Sequence, residues 1–230
     1  MSNGSPPLTT AAVQVLCAAN GAAIEAPAAT PLTAFLELLV TWNKSMNLVG
    51  KKQWPEILVD LLLDSWHLAR FLETLPLPAA CLTYDLGAGA GIPGVPLRIF
   101  WPRGTYTLVE LRSKRVVFLR YALAKLANGL QGQTLVYEGR AEDILAGRAP
   151  DLIVSRAFKP WREILELTGP CLSKAEPGAS ARFVAFMAST PAPALPAGWR
   201  LTADMRYAAR GKDRYFWALS PESLSTRAPR

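Results

Sequence analysis

The first third of the chain has apolar residues at helical spacing. Between residues 8 and 75, leucine, isoleucine and phenylalanine recur three or four positions apart, which predicts several consecutive amphipathic helices. Thr30-Pro31 combines a capping residue with a first-turn proline, so one helix is expected to begin there. A second long helical pattern runs from Pro55 to Leu75, and Pro76-Leu77-Pro78 is expected to end it.

From residue 80 onward, apolar runs of strand length alternate with segments of helix length. The predicted strands are Leu82–Asp85, Thr105–Glu110, Thr134–Tyr137, Asp151–Ser155 and Arg182–Met187. The predicted helices between them are Val95–Phe100, Ser113–Asn128, Ala141–Leu145 and Pro160–Leu172. Two further β-like runs, Trp199–Tyr207 and Tyr215–Leu219, are expected to pair antiparallel at a sheet edge. The pattern predicts an α/β fold, with a mostly parallel sheet covered on both faces and a ligand crevice at the carboxyl ends of its strands.

These patterns divide the chain into three parts. Residues 1–78 are a helical extension, residues 79–220 are the α/β domain, and residues 221–230, which lack periodicity, are expected to be a frayed tail. A length of 230 residues with 50% hydrophobic residues is sufficient for one sizeable domain with an extension. The apolar runs are too short to span a bilayer, and residues 1–10 lack the regions of a secretory signal. Three widely spaced cysteines favour reduced thiols over disulfides or a metal cluster, so we expect a cytoplasmic protein.

The charge balance is basic. Lysine and arginine number 25 against 18 acidic residues, which gives a net charge of +7 and a pI near 9.5. This balance is compatible with a polyanionic partner such as nucleic acid. Ordinary solubility charge explains it equally well, so both interpretations stay open.

The segment from Asp85 to Gly94 combines an acidic residue with closely spaced glycines. Asp85 ends the first predicted strand, and Gly87, Gly89 and Gly91 follow at alternate positions before the next helix. Because glycine has no Cβ, such a turn lets the backbone approach a nucleotide-like ligand closely. The glycine spacing alone also fits a dinucleotide-binding loop, which seats a pyrophosphate at a helix N-terminus. The preceding carboxylate favours S-adenosylmethionine (SAM), which is positive at its sulfur, over a pyrophosphate.

Charged residues follow or end the next three strands. A carboxylate at Glu110 can accept both hydroxyls of an adenosine ribose, whereas the alternative is a surface glutamate paired with Arg112 or Lys114. Glu142 can meet the adenine amino group, or it can act as a first-turn acid that favours the helix dipole. Arg156 is expected to serve an anion, either the methionyl carboxylate or a substrate phosphate.

The helix predicted over Ser113–Asn128 has a basic set that is either a solvated face or a phosphate track. Lys114 and Arg115 lie nearest the end of the second strand and are the candidate substrate contacts. His67, the single histidine, lies in an apolar helix and is interpreted as structural. The sequence has no Ser/His/Asp arrangement, H-E-x-x-H motif or Cys/His spacing that would support hydrolase or zinc chemistry.

In combination, these motifs resemble the RsmG (GidB) family of bacterial methyltransferases, which transfer a methyl group from SAM to N7 of one guanine in small-subunit (16S) ribosomal RNA. The resemblance covers about residues 30 to 219. It is carried by Trp42-Asn43-Lys44, Leu63-Asp64-Ser65, the segment from Asp85 to Gly94, Arg140-Ala141-Glu142-Asp143 and Ser155-Arg156-Ala157-Phe158.

The resemblance implies the class I SAM-methyltransferase (Rossmann-like) fold and SAM as cofactor. The implied SAM site consists of Gly87, Ile92, Ala141, Glu142 and Arg156, with Asp85, Gly89 and Glu110 in the same crevice. The implied partner is 16S rRNA or the 30S particle. We further expect a monomer that needs no metal and no catalytic residue beyond those that position the substrates.

The chain departs from the family pattern at two places. Asp60 and Leu61 stand where members usually have a basic residue and a histidine, and Met187 and Ala188 stand where members have Lys-Gly after the fifth strand. Both places are expected to face the RNA or the target base. A SAM-binding relative with an altered or lost RNA substrate is therefore an alternative. A nicotinamide-dependent oxidoreductase, supported only by the glycine spacing, is another.

Methylation of guanine N7 suits a chain with no evident general base. N7 presents an in-plane lone pair, so attack on a methyl group requires no deprotonation, and positioning alone can lower a barrier by about 7–11 kcal/mol. Amino methylation of adenine would favour an Asn/Asp-Pro-Pro-aromatic motif where Ser155-Arg156-Ala157-Phe158 stands. Carbon-5 methylation of cytosine needs a cysteine nucleophile, whereas Cys171 lies at the far end of a predicted helix.

Overall fold

A seven-stranded sheet forms the centre of the computed structural model, which describes residues 6–173 and 182–222. Its strands are β1 (Leu82–Leu86), β2 (Thr105–Glu110), β3 (Gln133–Glu138), β4 (Leu152–Ser155), β5 (Phe183–Ala188), β6 (Trp199–Ala209) and β7 (Lys212–Pro221). Their order is β3-β2-β1-β4-β5-β7-β6. Strands β1 to β5 are parallel, whereas β7 is antiparallel to both β5 and β6. The predicted parallel sheet and antiparallel edge pair are confirmed; residues 223–230 of the predicted tail lie outside the described residues.

Eight α-helices surround the sheet within the described ranges. They are α1 (Thr10–Ala19), α2 (Ala26–Met46), α3 (Trp54–Ile57), α4 (Leu63–Leu72), α5 (Gly94–Phe100), α6 (Ser113–Lys125), α7 (Ala141–Ala146) and α8 (Trp161–Leu172). One hydrophobic cluster joins α1 to α6 with one sheet face, and a second joins α7 and α8 with the other. The predicted helices on both faces and before the sheet are thus present. Within residues 6–173 and 182–222, no helix is long and apolar enough to cross a membrane.

The N-terminal helices pack directly on the sheet. Phe71 of α4 stacks on Phe216 of β7 with ring centroids 5.6 Å apart, and Trp42 of α2 lies 5.5 Å from Phe118 of α6. Because these rings belong to one continuous cluster, burial of apolar surface stabilises the helices and the sheet together. The division of the chain at residue 78 stays a prediction.

The start of α2 differs from the sequence prediction. The helix begins at Ala26 with a proline in its first turn, so Pro31 lies inside the helix. The Pro31 ring is buried and lies so close to Gly129 that a Cβ there would be only 2.6 Å away. Burial of the ring against a distant glycine offsets the missing backbone donor, and no local pattern reports such a contact.

The helix predicted from Pro55 to Leu75 is interrupted by a π-helical segment, Leu58–Leu62, which joins α3 to α4. In this segment the Asp60 carbonyl accepts a hydrogen bond from Arg214 Nη1 at 2.9 Å, and the Leu61 carbonyl accepts one from Arg156 Nη1 at 3.0 Å. A π turn is wider than an α turn and often marks a functional site. Here it presents two backbone carbonyls to arginines from distant parts of the chain.

Strand β5 extends beyond its predicted end. The prediction ended the strand at Met187, but it continues to Ala188, because Met187 and Ala188 pair with Phe216 and Tyr215 of β7. The antiparallel neighbour therefore lengthens β5 towards the ligand side of the sheet.

Candidate functional site

Three adjoining cavities lie at the carboxyl ends of the strands. The glycine-loop groove, about 450 Å³, is lined by Gly87, Glu110, Leu111, Ala141, Glu142 and Phe158. The junction, about 260 Å³, is lined by Leu48, Leu61, Gly89, Ile92, Arg115 and Arg156. The hairpin cavity, about 670 Å³, is lined by Lys51, Asp60, Leu61, Met187, Arg210 and Arg214. Arg115 borders the first two cavities, and Arg156 borders the last two, so the three form one continuous depression.

The glycine loop follows β1 and has a left-handed backbone at several positions. Gly87 has φ +72°, a conformation that side-chain-bearing residues rarely adopt. A Cβ on Gly87 would overlap the ring of Phe158, which closes the loop from the end of β4. A Cβ on Gly89, in contrast, would meet no heavy atom closer than 3.5 Å. The loop therefore requires glycine at position 87 both for its backbone angle and for its contact with Phe158.

Asp85 lies beneath this loop rather than in the depression. It exposes only 1% of its surface and accepts hydrogen bonds from the Tyr106 hydroxyl, at 3.1 Å, and from the Gly94 backbone N–H. Burial raises the pKa of Asp85 to about 7, although both hydrogen bonds oppose that rise. The structure does not bring Asp85 to the surface of any of the three cavities, so its predicted contact with a cofactor stays a prediction.

Glu110 lies at the carboxyl end of β2 and is nearly buried, with 6% of its surface exposed in the groove. Its Oε2 accepts the Gly89 N–H at 2.9 Å, and its Oε1 accepts the Arg112 N–H at 2.8 Å. The nearest cation is Arg115, whose Nη1 lies 3.8 Å from Oε2. Since each carboxylate oxygen can accept two hydrogen bonds, each can still accept one from a ligand. Glu110 therefore faces the groove. It is neither exposed nor ion-paired with Arg112 or Lys114, as the alternative interpretation required.

The start of α7 and the residue after β2 also line the groove. Ala141 and Glu142 are the first two residues of α7. The pKa of Glu142 is lowered, first by a hydrogen bond from its own backbone N–H and then by Arg140 and Lys159. Leu111 exposes 62% of its surface beside Glu110, which gives the groove an apolar wall that the sequence analysis did not identify.

A buried ion cluster lies where the junction meets the hairpin cavity. Asp64 of α4, which exposes 3% of its surface, pairs with Arg156 Nη2 at 3.1 Å and with Arg214 Nη1. The Tyr207 hydroxyl donates to the same carboxylate at 2.7 Å. Burial lowers the pKa of Arg156 and Asp64 opposes that effect, while Tyr207 has a raised pKa because of burial and the neighbouring carboxylate. Within the described chain the anion that Arg156 meets is Asp64. Its predicted contact with a methionyl carboxylate or a substrate phosphate stays a prediction.

The structure brings most of the predicted site residues together. Gly87, Glu110, Ala141 and Glu142 line the groove, and Gly89, Ile92 and Arg156 line the junction. Of the two candidate substrate contacts, Arg115 borders both of these cavities, whereas Lys114 is exposed and lines none of the three. His67 is half-buried and stacks on Tyr207 with ring centroids 4.2 Å apart, which agrees with its structural interpretation.

Both departures from the family pattern lie in one place. Asp60, Leu61, Met187 and Ala188 all line the hairpin cavity, although they are distant in sequence. The four residues share one cavity, and their predicted contact with the RNA or the target base stays a prediction. Lys51 and Arg210 line the same cavity, but no local motif in the sequence marks them.

Comparisons with known proteins agree with this geometry. A family model described as GidB, rRNA small subunit methyltransferase G, matches residues 29–178. Ribosomal RNA small subunit methyltransferase G of Nitratidesulfovibrio vulgaris (strain DP4) is 50% identical over 192 residues, which cover 83% of this chain and 84% of that protein. The protein of the same name from Oleidesulfovibrio alaskensis is 39% identical and covers 96% of this chain and 97% of its own length.

Among solved structures, magnesium protoporphyrin IX methyltransferase (ChlM) from Synechocystis PCC 6803, with bound SAH, matches with a TM-score of 0.51 and 14% identity, covering 82% of this chain and 100% of that chain. At this identity the similarity concerns the fold alone, and it confirms the predicted methyltransferase-like fold. The sequence relatives confirm the predicted family and give no support to the oxidoreductase alternative. The chain belongs to the GidB family, rRNA small subunit methyltransferase G.

Proposed function

We propose that this protein transfers the methyl group of SAM to N7 of one guanine in small-subunit ribosomal RNA. The observation that carries the proposal is that the junction connects two differently built cavities, the glycine-loop groove and the hairpin cavity. Arg156 lies where the junction meets the hairpin cavity. The glycine-loop groove, with its buried carboxylate, extends through the junction into the larger hairpin cavity. Such a depression has room for a donor at one end and an acceptor base at the other.

The residues of the groove fit SAM. Glu110 keeps one acceptor position on each oxygen for the two ribose hydroxyls. The exposed Leu111 side chain and Ala141 offer apolar surface for the adenine ring, and Glu142 offers an acceptor for its amino group. The backbone of Gly87, Gly89 and Ile92 leads towards the junction, where Arg156 has N–H groups left for the methionyl carboxylate. SAM supplies a methyl group on a positively charged sulfur.

Asp85 supports the loop from below in this proposal. Its carboxylate accepts the Gly94 N–H at the start of α5 and the Tyr106 hydroxyl of β2. These two bonds tie the strand before the loop to the helix after it. Asp85 therefore acts as a positioning residue for Gly87 and Gly89, and it does not need to touch the ligand.

The chain's part in the reaction is to position the acceptor and to exclude water. Guanine N7 attacks through a lone pair, so no side chain has to remove a proton. Among the described residues, no histidine or cysteine lines any of the three cavities, and His67 is packed against Tyr207. A site built from carboxylates, arginines and apolar side chains is sufficient for such a transfer.

The experiment is incubation with methyl-labelled SAM and small-subunit particles that lack the modification. We expect one labelled guanine, identified by cleavage of the RNA at 7-methylguanosine, with free 16S rRNA assayed in parallel. Absence of label in both substrates, with SAM binding intact by calorimetry, would instead support the alternative of a SAM-binding relative with a lost substrate. That alternative is motivated by the four hairpin-cavity residues that depart from the family pattern, Asp60, Leu61, Met187 and Ala188.

The proposal includes a cytoplasmic protein that acts as a monomer on 16S rRNA or on the 30S particle, without a metal ion. Ribosomal RNA is modified in the compartment where ribosomes assemble, which supports the location. Sedimentation of the purified protein should give the mass of a single 25.0 kDa chain, and a dimer mass would contradict the monomer.

A further inference from the structure

The mouth of the hairpin cavity has more positive charge than its carboxylates neutralise. Arg214 and Arg156 are both paired with the buried Asp64, but three further cations border the opening: Lys51, Arg210 and Lys212. Asp60 is shared between two of them, at 3.2 Å from Lys51 and 3.0 Å from Arg210. Lys212 has no ion-pair partner among the residues that the structure describes. Asp213 also lines the cavity and pairs with Arg206, which lies outside the lining. Over the whole lining, five cations face three carboxylates, which leaves two positive charges.

Arg210 holds its position through an unfavourable backbone conformation. It is the first of two turn residues between β6 and β7, with φ +50°, and Gly211 follows with φ +72°. Turns with positive φ at both central residues favour asparagine, aspartate or glycine, and a long side chain is unusual there. The Arg210 side chain is half-exposed and packs against no core. This backbone conformation places the Arg210 guanidinium at the hairpin cavity.

Most of that guanidinium is available to a ligand. Arg210 donates to both oxygens of Asp60 from one atom, Nη1, at 3.1 and 3.0 Å. Within the described chain, Nε and Nη2 have no hydrogen-bond partner. These two atoms form one edge of the guanidinium fork, which matches the spacing of two phosphate oxygens. Asp60 thus orients the fork and leaves its other edge open.

Lys51 is fixed beside Arg210 by a buried asparagine. Asn43 of α2 donates from Nδ2 to the Lys51 carbonyl at 2.8 Å and accepts the Val49 N–H at 2.9 Å. These bonds fix the loop after α2, in which Leu48 and Val49 line the junction and Lys51 lines the hairpin cavity. One loop therefore places a cation next to the point where the two cavities meet.

We propose that Arg210, Lys51 and Lys212 form a phosphate clamp for the RNA backbone beside the nucleotide whose base enters the hairpin cavity, with Asp60 as the positioning residue. The inference rests on the proposed function, because it takes the anion to be an RNA phosphodiester. A base presented from a single-stranded region brings its flanking phosphates with it, and clamped phosphates fix the depth and direction of its entry.

The test is the salt dependence of RNA binding, measured without SAM on deproteinised small-subunit rRNA and on particles that lack the methyl group. Arg210→Asn removes the cation and keeps a residue that tolerates the turn. Lys212→Gln removes a cation that has no ion pair to lose. The matched control is Arg148→Asn, with the same change in net charge. Arg148 is exposed in the loop before β4, at the amino ends of the parallel strands and away from the cavities at their carboxyl ends.

Each clamp variant is expected to reduce the slope of log K against log salt by about 1, whereas Arg148→Asn keeps the wild-type slope. The midpoint of thermal unfolding of Arg210→Asn should equal or exceed that of the wild type, and SAM affinity should be unchanged. Slopes for both clamp variants equal to that of the control would overturn the proposal. So would a lower midpoint for Arg210→Asn with an unchanged slope, since Arg210 would then be only a structural tie to Asp60. Failure of the wild-type protein to bind or methylate either RNA would instead overturn the proposed function together with the clamp.

Discussion

Arg156 and Asp64 form an ion pair, with 3.1 Å between Nη2 and Oδ2, that joins the end of β4 to the first turn of α4. The same arginine donates to the Leu61 carbonyl of the π-helical segment. A residue at the strand ends is thereby fixed by the helices that precede the sheet. The two parts of the chain build the site jointly, and neither supplies it alone.

Replacement of Asp64 with asparagine should be strongly destabilising. The change leaves Arg156 and Arg214 without a carboxylate in a buried cluster, and breaking such a pair costs about 3 kcal/mol of unfolding free energy. The measurement is denaturant-induced unfolding. As a comparison, Asp213→Asn breaks an exposed pair with Arg206, at 2.9 Å, and should produce no measurable loss of stability. Equal free energies of unfolding for the two variants would show that the buried cluster stabilises the fold no more than an exposed ion pair does.

Replacement of Glu110 with glutamine should weaken SAM binding by about 10- to 100-fold, because hydrogen bonds to a charged acceptor contribute roughly 1.5–3 kcal/mol in all. Calorimetric titration with SAM measures the effect. Glu138→Gln is the control. Glu138 lies on β3 directly beside Glu110 of β2, but it makes an exposed ion pair with Arg120. If the two variants bind SAM equally well, Glu110 does not contact the ligand.

Replacement of Gly87 with alanine should disturb the loop far more than replacement of Gly89. Both positions have positive φ, so either alanine incurs a backbone penalty of about 1 kcal/mol. Only at position 87 does the added Cβ also overlap the Phe158 ring. We expect Gly87→Ala to lose SAM affinity by at least tenfold more than Gly89→Ala. The reverse order would mean that Phe158 moves away easily.

Asp85 should make the protein less stable as pH rises from about 4 to 7. The unfolded chain releases this proton near the ordinary pKa of 3.8, whereas the folded chain retains it up to about 7. Between these values the folded state binds more protons, so its stability falls with increasing pH, in total by a few kcal/mol at most; roughly 1.4 kcal/mol is lost per pH unit. Asp85→Asn should remove this slope.

The measurement is the free energy of unfolding of both proteins at several pH values between 4 and 8. His67 changes stability in the opposite direction, because burial lowers its pKa, but this contribution is present in both proteins and cancels in the comparison. Parallel stability curves for wild type and variant would contradict the raised pKa of Asp85.

Local pattern was sufficient for the sheet and for the residues at its strand ends. Glu110 could be placed in the crevice because it ends a strand that follows a glycine loop, and parallel strands end at a common edge. The same reasoning did not predict that Asp85 lies beneath the loop. Its side chain points to the sheet face on which Tyr106 and Gly94 offer donors, and both come from other elements. Whether the Asp85 side chain faces the depression or lies beneath the loop is decided by tertiary packing, which the local sequence does not report.

The hairpin cavity could not be predicted from local pattern. Asp60 meets Arg210, and Asp64 meets Arg214, across 150 positions of sequence in each case. Each ion pair depends on how the β6–β7 hairpin folds back over α4. Asp60 and Leu61 depart from a family pattern that is visible in the sequence, but only the fold identifies the cations that face them.

The π-helical segment determines how α3 is rotated about the helix axis relative to α4. A π turn holds one residue more than an α turn, and one residue corresponds to about 100° of rotation in an α-helix. Deleting one residue between positions 58 and 62 would restore a regular α-helix, yet it would swing α3 and its flanking loop around the axis relative to α4. A regular α-helix would therefore misalign the cavity wall. The π turn is what allows the residues before it and the residues of α4 to face the hairpin cavity together.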